Sequence, residues 1–248
     1  MNVTRLQFPP QTGPYAIKVK EGDQWHGYKT VRLEISVGQN YHEGEKLACT
    51  INWATSRFDN VVILCNDTLQ RYNFALQVND HSPEDFLNHT RLMGSQWIER
   101  NESSLSNVAI ARWDDWINLP QFNRALKDAW NLYENNHQFQ IAVNHSISEV
   151  YKRRLSKGLI SQEQHERFQS LSLDYLMEET AGLALAYENF PGVSAYPGSF
   201  LEMWRMFVGR PIEGPLKGLS NAHCIRIDFD RKNQGVAQTG EPSLKMAL

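Results

Sequence analysis

The sequence predicts an α/β protein, a single Rossmann-like domain whose largely parallel central sheet is flanked by helices. Three observations lead there. Short runs rich in Val and Ile alternate with longer helical stretches, the pattern of strand–helix–strand units. The clearest run, Val31–Ser36, alternates faces, with Val31, Leu33 and Ile35 on one side and Arg32, Glu34 and Ser36 on the other. It breaks at once into a turn at Gly38, which places the Ser36 hydroxyl at the carboxyl end of a strand, where open α/β sheets bind ligands.

Taken in order, Tyr15–Lys20 alternates apolar and basic residues and reads as the first strand, and Val31–Ser36 as the second. A helix over Glu43–Phe58 leads to Asn60–Cys65, whose unbroken Val61–Leu64 run suits a strand buried on both faces. Pro83–Glu102 opens on a proline, which is favoured in the first helical turn. A strand at Val108–Trp113 follows, then helices at Gln121–Glu134 and Phe139–Lys157. The next helix, Ser161–Tyr187, starts on a serine cap with Glu163 and Gln164 behind it and ends before Pro191-Gly192. Cys224–Asp230 is the last strand. Residues 1–232 form the expected domain, and 233–248 form a polar tail of a composition compatible with disorder.

Composition narrows the class. The chain has 248 residues, 41% hydrophobic and 21% charged, with a net charge of −3, ordinary values for a globular enzyme. No run approaches the ~20 apolar residues of a membrane span, so no membrane partner is expected. The N-terminus lacks an apolar signal core. Cys49, Cys65 and Cys224 cannot all pair, which points to a reducing cytoplasm. The 8 histidines are scattered without metal-ligand spacing, so no metal is expected. GxxxxGK[ST], GxGxxG and GxSxG loops are absent, and with them the case for a nucleotide cofactor or a common α/β-hydrolase. HIGH and KMSKS signatures are absent too, which argues against amino-acid activation with ATP.

Two segments carry chemistry. Ser36 alone reads first as a turn serine bonded to its own backbone. Far downstream, within LSLDYLMEETAGLALA, Tyr175 and Glu179 stand four apart on one helical face among Leu173, Leu176 and Leu183. Taken alone the pair reads first as a surface Tyr–Glu contact supporting the helix, but partial burial there can raise a carboxyl toward neutrality, as acid–base work requires.

Together these segments resemble the tRNA-dependent cyclodipeptide synthases. The resemblance runs through LEISVGQNY, Asn52-Trp53-Ala54, Arg57-Phe58, Val61–Leu64, Asp67-Thr68, Tyr175–Glu179, Phe190–Val193 and Tyr196–Ser199, covering roughly residues 30 to 215. It implies a fold like the catalytic domain of class I tyrosyl- or tryptophanyl-tRNA synthetases, two aminoacyl-tRNAs as substrates, and no cofactor. It further implies that Ser36 is the nucleophile, Gly38 the turn glycine beside it, and Tyr175 a holder of the substrate amine. Glu179 matches the glutamate that binds the aminoacyl ammonium and moves protons. No histidine occupies a matched position, so a Ser-His-Asp triad is not expected.

Three departures from the family set expectations of their own. A second tyrosine that relays protons has no counterpart in Phe200–Phe207, leaving Tyr187 and Tyr196 as alternatives. Glu34 stands where relatives carry a small residue. It should meet either Arg32, on a solvated edge, or a polar substrate group, and the latter makes a first-residue pocket for a polar or cationic side chain such as His, Lys or Arg. Trp113 matches a pocket-lining leucine, a further sign of a remodelled pocket. Finally, the family's arginine-rich tRNA-gripping helix corresponds to Pro83–Glu102, which carries only Arg91 and Arg100. Lys152, Arg153 and Arg154 form a better basic cluster, although basic residues late in a helix also serve its dipole. Nothing in the sequence demands more than a monomer. The competing reading is a non-catalytic aminoacyl-tRNA or small-molecule binding module on the same fold.

Overall fold

The computed structural model describes residues 13–22, 25–78, 82–198 and 202–232. The polar tail from Asn233, the first twelve residues and the Ser199 and Phe200 positions of the family match lie outside them. The chain runs through β1 (Tyr15–Gly22), β2 (Thr30–Ile35), α1 (Gly44–Thr55), β3 (Asn60–Cys65), α2 (Arg71–Ala75), α3 (Pro83–Arg100) and α4 (Glu102–Leu105). It continues with β4 (Ala109–Arg112), α5 (Trp113–Ile117), α6 (Phe122–Asn135), α7 (His137–Ser156), α8 (His165–Asn189), β5 (Val193–Tyr196), α9 (Glu202–Arg205) and β6 (Cys224–Arg231).

The six strands form one sheet in the order β1-β6-β5-β2-β3-β4. Every neighbouring pair is parallel except β1 and β6. The mixed α/β architecture with a largely parallel sheet is therefore the one expected. β2 lies inside, bordered by β3 in the register Thr30↔Asn60 to Ile35↔Cys65 and by β5 in the register Val31↔Val193 to Leu33↔Ala195.

Strand alternation divides the core into two layers. Val31, Leu33, Ile35, Val61 and Ile63 face one side and pack with Trp53 of α1 and Trp97 of α3. Val62 and Leu64 face the other side and meet Trp113, Phe139, Phe168 and the apolar face of α8. Cys49, Cys65 and Cys224 are all buried.

Local chemistry fixes the element ends. Ser82 starts α3 with a reciprocal cap, accepting from the Asp85 N–H at 3.2 Å while its own N–H donates to Asp85 Oδ2 at 3.0 Å. Asn136 caps α7 by accepting from the Phe139 N–H at 3.0 Å. Two predicted helices prove to be composite. The Pro83–Glu102 stretch breaks at Asn101 into α3 and α4, and a 3-10 turn at Gln162–Gln164 precedes α8. One strand was not foreseen. β5 has four residues between two Pro-Gly pairs, and its burial between β2 and β6 rather than its sequence makes it a strand.

Candidate active site

The carboxyl ends of β2, β3 and β5 open into a cavity of about 290 Å³. Ser36, Asn66 and Tyr196 line it from the sheet, Tyr175 and Glu179 from α8, and Arg153 and Arg154 from the end of α7. Beyond Ser36 the backbone folds back through a Gln39 N–H to Ser36 carbonyl bond of 3.2 Å. Gly38 takes a φ of +92° in that turn, a conformation open to glycine and costly for a residue with a Cβ. Gly38 therefore shapes the turn and does not itself line the cavity.

Ser36 Oγ lies 3.3 Å from the Tyr196 hydroxyl, which lies 3.0 Å from the Tyr41 hydroxyl. The three hydroxyls form a chain leading away from the serine. Burial, and secondarily Tyr41, raise the Tyr196 pKa far above the usual phenol value, so Tyr196 stays protonated and holds a proton it can donate. His42, which sequence reasoning passed over, accepts from the Ser36 N–H through Nδ1 at 3.0 Å. Burial lowers its pKa to about 4, which keeps the ring neutral and Nδ1 able to accept. Its bond is to the serine backbone, not to the hydroxyl, and the tyrosine ring of Tyr196 stacks edge-on against it.

On the opposite wall Tyr175 donates to Glu179 Oε1 at 3.3 Å. Both residues are part-exposed where they border the cavity and enclosed by the fold elsewhere. Burial raises the Glu179 pKa to about 8, and the negative charge of Glu34 adds to the shift. A carboxyl raised to that value is largely protonated at neutral pH.

Glu34 is buried on the cavity floor, accepting from the Tyr187 hydroxyl at 2.6 Å. The pairing with Arg32 on a solvated edge does not occur, because β2 is an interior strand. Arg32 is fully buried and turned to the backbone, with Nη1 to Phe190 O at 2.9 Å, Nη2 to Asn221 O at 2.8 Å and Nε to Ser194 Oγ at 3.0 Å. Tyr187 stands between the two charges, its ring 3.9 Å under the Arg32 guanidinium and its hydroxyl on Glu34.

Trp113, expected as a pocket wall, does not line the cavity. Its ring is buried against Gly182, where a Cβ would collide with it, and its Nε1 donates to Glu178 at 2.8 Å. Glu178 also accepts from the Tyr72 hydroxyl at 2.8 Å and pairs with Arg71 through both guanidinium nitrogens. That hub locks α8 to α2 and α5 one residue away from Glu179. Of the basic cluster, Lys152 points outward to Glu149 at 3.0 Å, while Arg154 reaches Asn73 at 2.7 Å beside the cavity. Among the described residues no group of three His, Cys, Asp or Glu side chains is set to hold a metal ion. No helix there is long and apolar enough to cross a membrane.

No family model matches the chain, and no curated protein matches it. Solved structures do. A cyclodipeptide synthase from Fluoribacter dumoffii superposes with a TM-score of 0.72 over 87% of this chain and 98% of its own, at 23% identity. The fold is that of the cyclodipeptide synthases. One from Mycobacterium tuberculosis, described as showing the relation of this group to type I tRNA synthetases, aligns over 92% of this chain and 98% of its own, with a TM-score of 0.60 and 14% identity. The cyclodipeptide synthase from Candidatus Glomeribacter gigasporarum, solved with Phe-tRNAPhe bound, aligns over 88% of this chain and 93% of its own, with a TM-score of 0.56 and 15% identity. The shared cyclodipeptide synthase fold accounts for the α/β layering and the type I synthetase likeness expected from the sequence.

Proposed function

We propose that this chain is a cyclodipeptide synthase that joins two aminoacyl groups from aminoacyl-tRNAs into a 2,5-diketopiperazine, with residues 1–232 as the catalytic domain. The observation that carries the reading is one cavity, in this fold, that holds a serine against a protonated tyrosine and faces both with Tyr175 and Glu179. Ser36 attacks the first aminoacyl ester and keeps that residue as an acyl-enzyme, so that one difficult condensation becomes a series of easier steps. Its amine then takes the second aminoacyl group, giving a dipeptidyl-enzyme, and the free amine of that dipeptide attacks the serine ester and closes the ring.

Glu179 and Tyr175 hold the incoming ammonium. The arriving positive charge lowers the raised carboxyl pKa, so Glu179 releases its proton to solvent as it pairs with the ammonium and takes up a proton again when the amine becomes a nucleophile. Tyr196, close to Ser36 Oγ, fills the proton-relay role left open between Tyr187 and Tyr196, since the Tyr187 hydroxyl is committed to Glu34. The buried Glu34 selects a polar or cationic first residue such as His, Lys or Arg. Arg153 and Arg154 at the cavity meet the tRNA acceptor end, with Lys152 further out.

Mass spectrometry of medium from bacteria expressing the wild type and Ser36→Ala tests the reading. A diketopiperazine made by the wild type and lost in the folded mutant is expected. A folded wild type that releases no new diketopiperazine moves the assignment to a binding module of the same fold. Preference for Leu-tRNA over His-tRNA as first substrate removes the Glu34 pocket assignment alone.

A further inference from the structure

Asn66 directly follows β3 and lines the same cavity as Ser36. Glu34 pairs with Leu64 across β2 and β3, and the Asn66 N–H continues that ladder to Ile35 O at 2.9 Å. Asn66 is thus the next residue in the Val62–Leu64 row, opposite Ser36 on the cavity face, with neighbouring strands about 4.8 Å apart. Its backbone is fully engaged, the carbonyl accepting from Gln70 Nε2 at 3.2 Å. Its side chain is not. The residue is 3% exposed, Oδ1 is enclosed with no partner, and Nδ2 donates to no described group, although Asn66 is one of the residues lining the cavity. Buried polar groups are seldom left unpaired without a ligand or a chemical use.

Acyl transfer needs hydrogen-bond donors aimed at the oxygen that becomes negative as the tetrahedral intermediate forms. The usual first donor is the N–H of the nucleophile, and here His42 Nδ1 occupies it at 3.0 Å. The Tyr196 hydroxyl is shared between Ser36 Oγ and Tyr41. We infer that the side-chain amide of Asn66 is the oxyanion donor of the proposed reaction, a catalytic residue beside Ser36 that the motif comparison did not mark. This inference rests on the acyl-transfer reading above. As the Ser36 Oγ–carbon bond forms, the carbonyl π pair moves onto oxygen and Nδ2–H bonds to it. The pair then returns to the carbonyl, the bond to the tRNA ribose oxygen breaks, and the proton from Ser36 ends on that ribose hydroxyl. No oxidant, reductant or further reactant is needed.

The test measures the single-turnover rate of the Ser36 acyl adduct by intact mass, using an aminoacyl-tRNA that the wild type accepts. Binding is measured separately with the same tRNA carrying its amino acid through a non-transferable amide link. Asn66→Ala is expected to slow acylation by about 10²–10³-fold while the affinity for the amide-linked tRNA stays within about twofold. Asn66→Asp, which keeps the shape and loses the donor, gives a second folded variant with a comparable loss, and thermal melts of both verify folding. Acylation of either folded variant within about fivefold of wild type overturns the inference, as does an affinity loss equal to the rate loss, which is what a plain wall residue produces. A wild type that forms no Ser36 adduct with any aminoacyl-tRNA overturns the acyl-transfer reading itself, and this inference with it.

Discussion

Replacing Glu179 by Gln should remove the share of pH-dependent stability that this one carboxyl contributes between pH 5 and about 8. The native Glu179 pKa of about 8 lies well above the ordinary 4.5, with burial the larger cause and Glu34 the smaller. Because the native value is raised, the folded protein keeps a proton that the unfolded chain releases over this window. For this group unfolding then releases a proton, and its contribution to stability falls as pH rises from about 4.5, levelling off above about 8. His42, whose pKa is lowered, acts in the opposite direction up to about 6.5. At about 1.4 kcal/mol per pH unit the ceiling is about 5 kcal/mol. Rearrangement of the cavity and entry of water bring the expected figure to about 2–3 kcal/mol. Urea unfolding of wild type and Glu179→Gln at half-unit steps from pH 5 to 9 measures it directly. The difference between the two curves should change by that amount, with the mutant gaining on the wild type as pH rises. Parallel curves across the whole range would refute the buried-carboxyl account, and with it the claim that Glu179 waits protonated for an ammonium.

Other outcomes follow from the same geometry. Tyr196→Phe should lower product formation by about 10²-fold with little change in melting temperature, and an unchanged yield would detach Tyr196 from the chemistry. Glu178→Ala leaves Arg71, Tyr72 and Trp113 without their shared acceptor and should cost about 3 kcal/mol in urea unfolding, so a loss below about 1 kcal/mol would mean that the hub is ornamental. Arg153→Ala should weaken aminoacyl-tRNA binding and flatten the slope of log affinity against log salt by about 0.7–0.9 per lost phosphate contact. An unchanged slope in filter binding would place the tRNA elsewhere.

Much of the scaffold could be read from residues alone because the strands obey simple rules. Asn60–Cys65 is apolar through its middle and has the bounds expected of it. The alternation of Val31, Leu33 and Ile35 against Arg32, Glu34 and Ser36 holds, and the four-residue spacing puts Tyr175 and Glu179 on one cavity wall. What failed was partnership. The parity of Arg32 and Glu34 is right, but it does not tell that β2 is interior, where Arg32 finds backbone carbonyls and Tyr187 intervenes. Trp113 sits where β4 turns directly into α5, and that junction points its ring into the core toward Glu178. Tyr196 reaches Ser36 only through the sheet order, which places a residue 160 positions away on the flanking strand β5, and the same order brings Asn66, just past β3, to the cavity that Ser36 lines. β5 escaped notice because a four-residue strand between two Pro-Gly pairs looks like loop until its neighbours are known.

The strand order also determines where this protein is exposed to self-association. A sheet that does not close leaves two flanks, here β1 and β4 among the described residues. The β4 flank is four residues long and offers an intruding strand almost no length to grip. The β1 flank is eight residues long, and its alternate positions Lys18 and Lys20 carry charge that pairs with Asp230 and Asp228 of β6. A strand from another copy docking there would bring its own lysines against these, a repulsion that guards against fibril growth in a crowded cell. Neutralising both lysines should therefore raise the tendency to aggregate well before it lowers the melting temperature.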